Sequence, residues 1–153
     1  MSETALADTE GEGLETSRTV RLHVPARPEY IALARLALSG VAELAALSEE
    51  DVADLKLALT EAVSNSVRHA YAGGDGFVSI EYALSASALQ IEVVDDGAGF
   101  DPDVPAPADG PELSEGGLGI AIIRTIVDEL EIVSRPGTRG SRLRFVKRLQ
   151  PAA

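Results

Sequence analysis

The stretch "LSEGGLGIAII", Leu113 to Ile123, sets three glycines within four positions and then turns at once into an apolar, helix-like pattern. Gly116, Gly117 and Gly119 lead into a helix expected to begin near Leu118. Glycine has no Cβ, so backbone there can close around a ligand. A helix start also gathers free N–H groups and the positive end of the dipole, which suits an anion. The spacing G-G-x-G is neither the phosphate-loop nor the dinucleotide fingerprint, and no lysine follows, so a Walker-type site is not expected. Taken alone, the run reads equally as a tight loop.

The flanking sequence gives it a setting. Before it, "GAGFDPDVPAPADGPELSEGG" is rich in Pro, Gly and Asp and is too long for an ordinary connection, and such a loop reads as a lid or as a disordered segment. After it, "LGIAIIRTIVDEL" continues as a helix, and "EIVSRPG" and "GSRLRFVKRL" read as two strands. Upstream, "FVSIEYAL" and "ALQIEVVDD" are strands joined by the turn Ser85-Ala86-Ser87. The longest helix is "SEEDVADLKLALTEAVSNSVRHAY", with Ser48 and Asp51 as a capping box. Val52, Leu55, Leu59, Ala62, Val63 and Ser66 fall near one of its faces. "EYIALARLALSG" is a helix expected to stop at Gly40. "TVRLHVP" is a first strand with Val20, Leu22 and Val24 on one side. Residues 1–17 carry five acids and no base and read as a disordered acidic tail. One domain, 18–150, follows. The pattern predicts an α/β fold: a two-layer sandwich with helices on one face of a mixed sheet, the other face open or covered by a partner.

Bulk composition removes several classes of function. The chain has 153 residues, 45% of them apolar, enough for a single domain with a sizeable core. A formal charge of -12 repels phosphate backbones and anionic lipid, so neither nucleic acid nor a membrane surface is an expected partner. A bound nucleotide remains compatible, because local N–H groups and a metal override the global field. With no cysteine, disulfides, thiolate catalysis and thiolate metal sites are excluded. No signal-like or membrane-spanning run is present, which reads as a cytoplasmic protein.

Four stretches carry polar chemistry. Glu61 and Asn65 lie four apart, one above the other on a helix face, and His69 continues the line. A carboxylate and an amide so stacked can hold a hydroxyl and a metal-bound phosphate, although a solvated polar stripe has the same spacing. Asp95 ends a β-branched strand, with Gly97 and Gly99 after it. An aspartate there can accept from an exocyclic amine such as that of adenine, while a plain D-G turn looks alike. The glycine run is the third stretch. The fourth is "PGTRG", where Thr138 could brace Asp95 or simply sit in a turn.

The order of these stretches resembles the GHKL (Bergerat) ATP-binding fold, the histidine-kinase-like ATPases, with a mixed, mainly antiparallel sheet. "LTEAVSNSVRHAY", "DDGAGFDP" and "LSEGGLGIAIIRTIVDELEI" narrow this to a likeness to the anti-sigma-factor serine kinases, the RsbW and SpoIIAB group, covering about Val20 to Leu149. The resemblance implies a serine/threonine-protein kinase using ATP and Mg2+. It implies Glu61 as general base, Asn65 as the Mg2+ ligand and Asp95 as the reader of the adenine amine. Gly97, Gly99, Gly116, Gly117, Leu118, Gly119 and Ile120 would shape the pocket. Thr138 would support the adenine contact, and Arg68 and His69 would reach phosphate or ribose. It also implies three partners: a sigma factor held from RNA polymerase, an anti-anti-sigma protein of the STAS fold that is phosphorylated on serine, and a second copy in a homodimer. Tyr30 and Leu33 are candidates for that last interface. One departure is Glu115, where some relatives carry an arginine suited to the terminal phosphate; Arg124 is a distant substitute. Alternatives are a switch-type serine kinase that binds no sigma factor and a nucleotide-gated binding module without transferase activity. A histidine-kinase fragment is disfavoured, because no dimerisation helix bearing a histidine precedes the domain.

Overall fold

The structure of the protein, a computed structural model, describes residues 18–45, 47–71, 76–96, 112–133 and 140–149, and of 69–71 and 112–118 the backbone alone. The five strands are β1 (Arg18–Pro25), β2 (Phe77–Leu84), β3 (Ala88–Asp95), β4 (Glu129–Val133) and β5 (Ser141–Arg148). They form one sheet in the order β1-β2-β3-β5-β4. Every pairing among them is antiparallel, so the parallel component of a mixed sheet is absent from the described strands. The three α-helices are α1 (Ile31–Ala45), α2 (Glu49–Tyr71) and α3 (Glu112–Ile126).

Alternation along the strands sorts the two faces. Val78, Ile80, Tyr82 and Leu84 of β2 are buried, as are Leu89, Ile91, Val93 and Asp95 of β3 and Leu143 and Phe145 of β5. These pair in rows such as Ile80-Val93-Leu143 and Tyr82-Ile91-Phe145 beneath the helices. From above, α1 contributes Ala34, Leu38 and Val41, and α2 contributes Leu55, Ala58, Leu59, Ala62, Val63 and Val67. Tyr82 ties the layers together: its buried hydroxyl donates to the Ala34 carbonyl at 2.7 Å, and burial pushes its phenol well above the ordinary tyrosine range. The opposite face carries cross-strand ion pairs, Arg21 with Glu81, Arg142 with Glu92 and Arg144 with Glu131. That face is therefore solvent-compatible.

Three element boundaries and one burial differ from expectation. α1 continues through Gly40 to Ala45, because Val41 and Ala42 on the next turn are buried and their packing outweighs one glycine. Val20 is exposed, on the edge strand β1. α3 ends at Ile126, and Glu129 and Leu130 belong to β4. Asp128 explains that ending: its N–H donates to the Val146 carbonyl, and its carboxylate accepts from the Arg148 N–H at 2.6 Å, which commits the chain to the sheet. Lastly, α3 begins at Glu112 and not near Leu118, so Gly116 and Gly117 lie within it. In an α-helix the N–H of residue i bonds to the carbonyl of i−4, so the free donors belong to the first turn and not to the glycines. The segment Glu112-Leu113-Ser114-Glu115 is helix-competent, and each glycine costs only about 1 kcal/mol.

Candidate functional site

α2 is fixed at its start by Ser48, whose hydroxyl accepts from the Asp51 N–H at 3.0 Å, as the capping pattern predicts. Asp51 then lies 3.9 Å from Lys147, at the far end of β5. From that anchor the level of each later residue follows. Asn65 is fourteen residues on, about 21 Å along the helix. Ser141 is six residues back along β5, about 20 Å in the same direction. Asn65 and Ser66 are thus level with Ser141 and with its register partner Asp95. α3 runs antiparallel to α2: the Lys147 ammonium donates to the Ile126 carbonyl at its C-terminus, while Gly119 meets Glu61. The N-terminal half of α3 therefore approaches the same end of the sheet.

Three groupings occupy that end. The first is Glu61 against Gly119. A Cβ built on Gly119 would stand 2.6 Å from the Glu61 Oε1, so this carboxylate occupies space that only glycine leaves. The second is Asn65, 6% exposed, whose Oδ1 accepts from the Arg68 guanidinium at 3.0 Å. Arg68 is the cation the structure brings to this amide; Arg124 is exposed in the last turn of α3, a turn and more from Gly119 in the direction away from Asn65. The third is Asp95, 3% exposed, whose Oδ2 accepts from the Ser141 hydroxyl at 2.6 Å. Its neighbour Asp96 is exposed on the other side and accepts from the Phe77 N–H, which decides which aspartate of "VVDD" faces the helices.

For several expected residues the structure describes no side chain. Gly97, Gly99 and Thr138 lie outside the described residues, as does 97–111 of the stretch 97–117 read as a loop; its remainder, 112–117, is the start of α3. His69, Gly116, Gly117 and Leu118 are placed by backbone only, on α2 and α3. Ile120 packs partly buried against the core beside Gly119. Ser141 escaped the sequence reading, and Gly140 was seen only as part of the "PGTRG" turn. Gly140 adopts φ +88°, a region favouring glycine, and a Cβ there would stand 2.8 Å from the Asp95 carbonyl oxygen. A signal for Ser141 exists: it continues inward the alternation of Leu143 and Phe145, and so falls opposite the end of β3.

The arrangement provides a carboxylate, an amide oxygen and a buried aspartate along one wall. Among the described residues no group of three His, Cys, Asp or Glu side chains could hold a metal by itself. A Mg2+ that keeps its waters and arrives with phosphates, taking one protein oxygen, suits such a site. No helix among the described residues is long and apolar enough to cross a membrane.

Comparison with known proteins agrees with this geometry. Residues 24–147 match the histidine kinase-like ATPase domain. The serine-protein kinase RsbW of Listeria monocytogenes is 36% identical over 140 residues, covering 86% of this chain and 89% of the relative. That of Bacillus pumilus is 36% identical over 145 residues, covering 88% and 90%. Among solved structures, the RsbU and RsbW domains of a Mycobacterium tuberculosis protein superpose with a TM-score of 0.65 at 22% identity, covering 88% of this chain and 34% of that one. The SiaB–SiaC complex from Pseudomonas aeruginosa gives 0.54 at 16% identity, covering 95% and 98%. The chain therefore belongs to the histidine kinase-like ATPase domain family, in the branch of the RsbW serine-protein kinases.

Proposed function

We propose that this protein is an anti-sigma factor. It holds an alternative sigma factor away from RNA polymerase and uses Mg-ATP to phosphorylate a serine of an anti-anti-sigma protein of the STAS fold. The observation that carries the chemistry is the fit of the Glu61 carboxylate into the space left by Gly119, with Asn65 one turn further along α2. The RsbW relatives, serine-protein kinases by name, support the substrate class.

The residues divide the work. Mg-ATP would supply the γ-phosphoryl group and most of the charge neutralisation that its transfer needs. Glu61 takes the proton from the attacking serine hydroxyl. The Asn65 oxygen would hold Mg2+, which would bring positive charge to the phosphates, and Arg68, which donates to that oxygen here, would be within reach of phosphate. Asp95, oriented by Ser141, accepts from the adenine amine. By the resemblance, Gly97, Gly99, Gly116, Gly117, Leu118 and Ile120 are assigned to the pocket, Thr138 to support of the adenine contact, and His69 to phosphate or ribose.

A homodimer accompanies this role. Leu33, Leu36 and Leu44 are exposed along one line of α1, with Gly40 between them leaving open space. Such a stripe suits a second copy, and Leu36→Arg should leave a monomer in analytical ultracentrifugation.

The test of the proposal is Glu61→Ala. It should bind Mg-ATP and the sigma factor as the wild type does, and should slow labelled phosphate transfer to the STAS protein by about a hundredfold or more. Transfer at the wild-type rate removes the base assignment. Loss of ATP binding as well moves Glu61 to the metal.

A further inference from the structure

Four polar residues are buried among those described: Asn65, Ser66, Asp95 and Ser141. Counted by helix and strand rise from the Asp51–Lys147 contact, all four fall toward one end of the fold. Three of them have hydrogen-bond partners: Asn65 accepts from Arg68, and Ser141 donates to Asp95. The fourth, Ser66, is 5% exposed and its hydroxyl has no partner among the described residues. A helical hydroxyl usually meets its needs by bonding back to a carbonyl one turn earlier. Ser39 does so to Arg35, Thr60 to Lys56 and Thr125 to Ile122. Ser66 does not.

A purely structural residue at this position would be better as alanine. The apolar line of α2 runs Leu55, Leu59, Ala62 and then Ser66, so the position points at the sheet. It faces the level of Asp95 and Ser141, where the functional reading above seats the purine. Burying a hydroxyl there without a bond is unfavourable, and the cost disappears once a ligand supplies the partner.

We propose that the Ser66 hydroxyl is a nucleotide-binding group: it hydrogen-bonds a ring nitrogen of the bound adenine, next to the exocyclic amine that Asp95 accepts from. This rests on the nucleotide reading of Asp95. The chemistry is complementary. Asp95 offers an acceptor to the amine, while the two ring nitrogens flanking that amine, N1 and N7, are acceptors and need a donor. Ser66 contributes the donor from the helix layer, opposite the sheet layer that carries Asp95.

The experiment is a titration of Mg-ATP, Mg-1-deaza-ATP and Mg-7-deaza-ATP into the wild type and Ser66→Ala by calorimetry, with thermal melts of both proteins without nucleotide. Ser66→Ala should weaken Mg-ATP by about three- to tenfold, the range of one hydrogen bond. Its melting temperature should equal or exceed that of the wild type. The difference between the two proteins should vanish on one of the two deaza analogues, the one lacking the contacted nitrogen. Ser66→Cys, which keeps the side-chain shape in a slightly larger form and weakens the donor, should fall between them. Equal Mg-ATP affinity of Ser66→Ala and wild type overturns the proposal. So does an undiminished difference on both analogues, or a lower melting temperature, since each makes the hydroxyl structural. Wild type that binds no Mg-ATP would instead overturn the nucleotide reading on which this proposal stands.

Discussion

Gly119→Ala separates the folding role of the glycine run from its role at Glu61. The added methyl would sit 2.6 Å from the Glu61 Oε1, 3.5 Å from its Cδ and 3.7 Å from its Cβ. Only the first contact is too short; the other two are ordinary. The carboxylate tip must therefore swing out to about 3.4 Å, a displacement of at least 0.8 Å, while the stem of the side chain stays in place. Glu61 is partly exposed, so the tip has room to move and little stability is lost. Alanine is the better helix former by about 1 kcal/mol, which offsets the crowding. The variant should melt at or slightly above the wild-type temperature. Catalysis is less forgiving, because a misplacement near 1 Å can cost about a hundredfold. We expect phosphate transfer to fall by about ten- to a hundredfold, with Mg-ATP affinity within about threefold of wild type. The assay is labelled transfer from ATP to the STAS protein, beside a melt and an ATP titration. Wild-type transfer by a folded Gly119→Ala would refute the claim that Glu61 works from the position it holds against Gly119.

Three other perturbations test the supports of the site. Ser141→Ala removes the hydroxyl that donates to Asp95 at 2.6 Å, and should reduce Mg-ATP affinity by about tenfold in calorimetry and stability by about 1–3 kcal/mol in urea. Gly140→Ala forces a side chain into φ +88° and against the Asp95 carbonyl, so urea unfolding should show a loss of at least about 1–2 kcal/mol, with a weaker adenine contact. Tyr82→Phe deprives the Ala34 carbonyl of its donor and should cost about 1 kcal/mol near neutral pH. The folded phenol is raised well above its unfolded value near 10, so it contributes stability below pH 10 that is lost as pH rises beyond it. The gap between Tyr82→Phe and wild type should therefore narrow in melts taken from pH 9 to 11.

Helices and strands with strong patterns were legible in the sequence. β2 and β3 run over the residues their alternation marks, and the Ser48 cap starts α2 where the spacing puts it. The misread boundaries are those set by tertiary contacts. Gly40 ends nothing, because Val41 and Ala42 are needed by the core. The segment "DEL" looks helical by continuity, yet Asp128 spends both its backbone and its side chain on β5. Spacing alone put Glu61 and Asn65 on one face of α2 but did not separate a site from a solvated stripe. The partnership of Ser141 with Asp95 was not, since it depends on the β3–β5 register across 46 residues. Thr138 drew attention instead because glycines flank it.

The glycine run itself takes a different meaning from the geometry. If the glycines stood before the helix, their N–H groups would be the natural phosphate donors. Placed within α3, Gly116 and Gly117 have N–H groups directed to carbonyls one turn earlier, and Gly119 acts through the side chain it lacks. The consequence is close approach of α3 to α2, which seats the Glu61 carboxylate between the two helices. One helix then orders the proposed chemistry along its own axis. Glu61, Asn65 and Ser66 fall within about 7.5 Å of rise, and their side chains fan from α3 toward the sheet. The proposed base, metal ligand and purine contact all lie on one helix, whose level is fixed at Asp51 by Lys147 and whose capping begins at Ser48. A shift of α2 along its axis would move all three together. That is why Lys147, which also holds the end of α3 through the Ile126 carbonyl, keeps the two helices of the site in step from the opposite end of the fold.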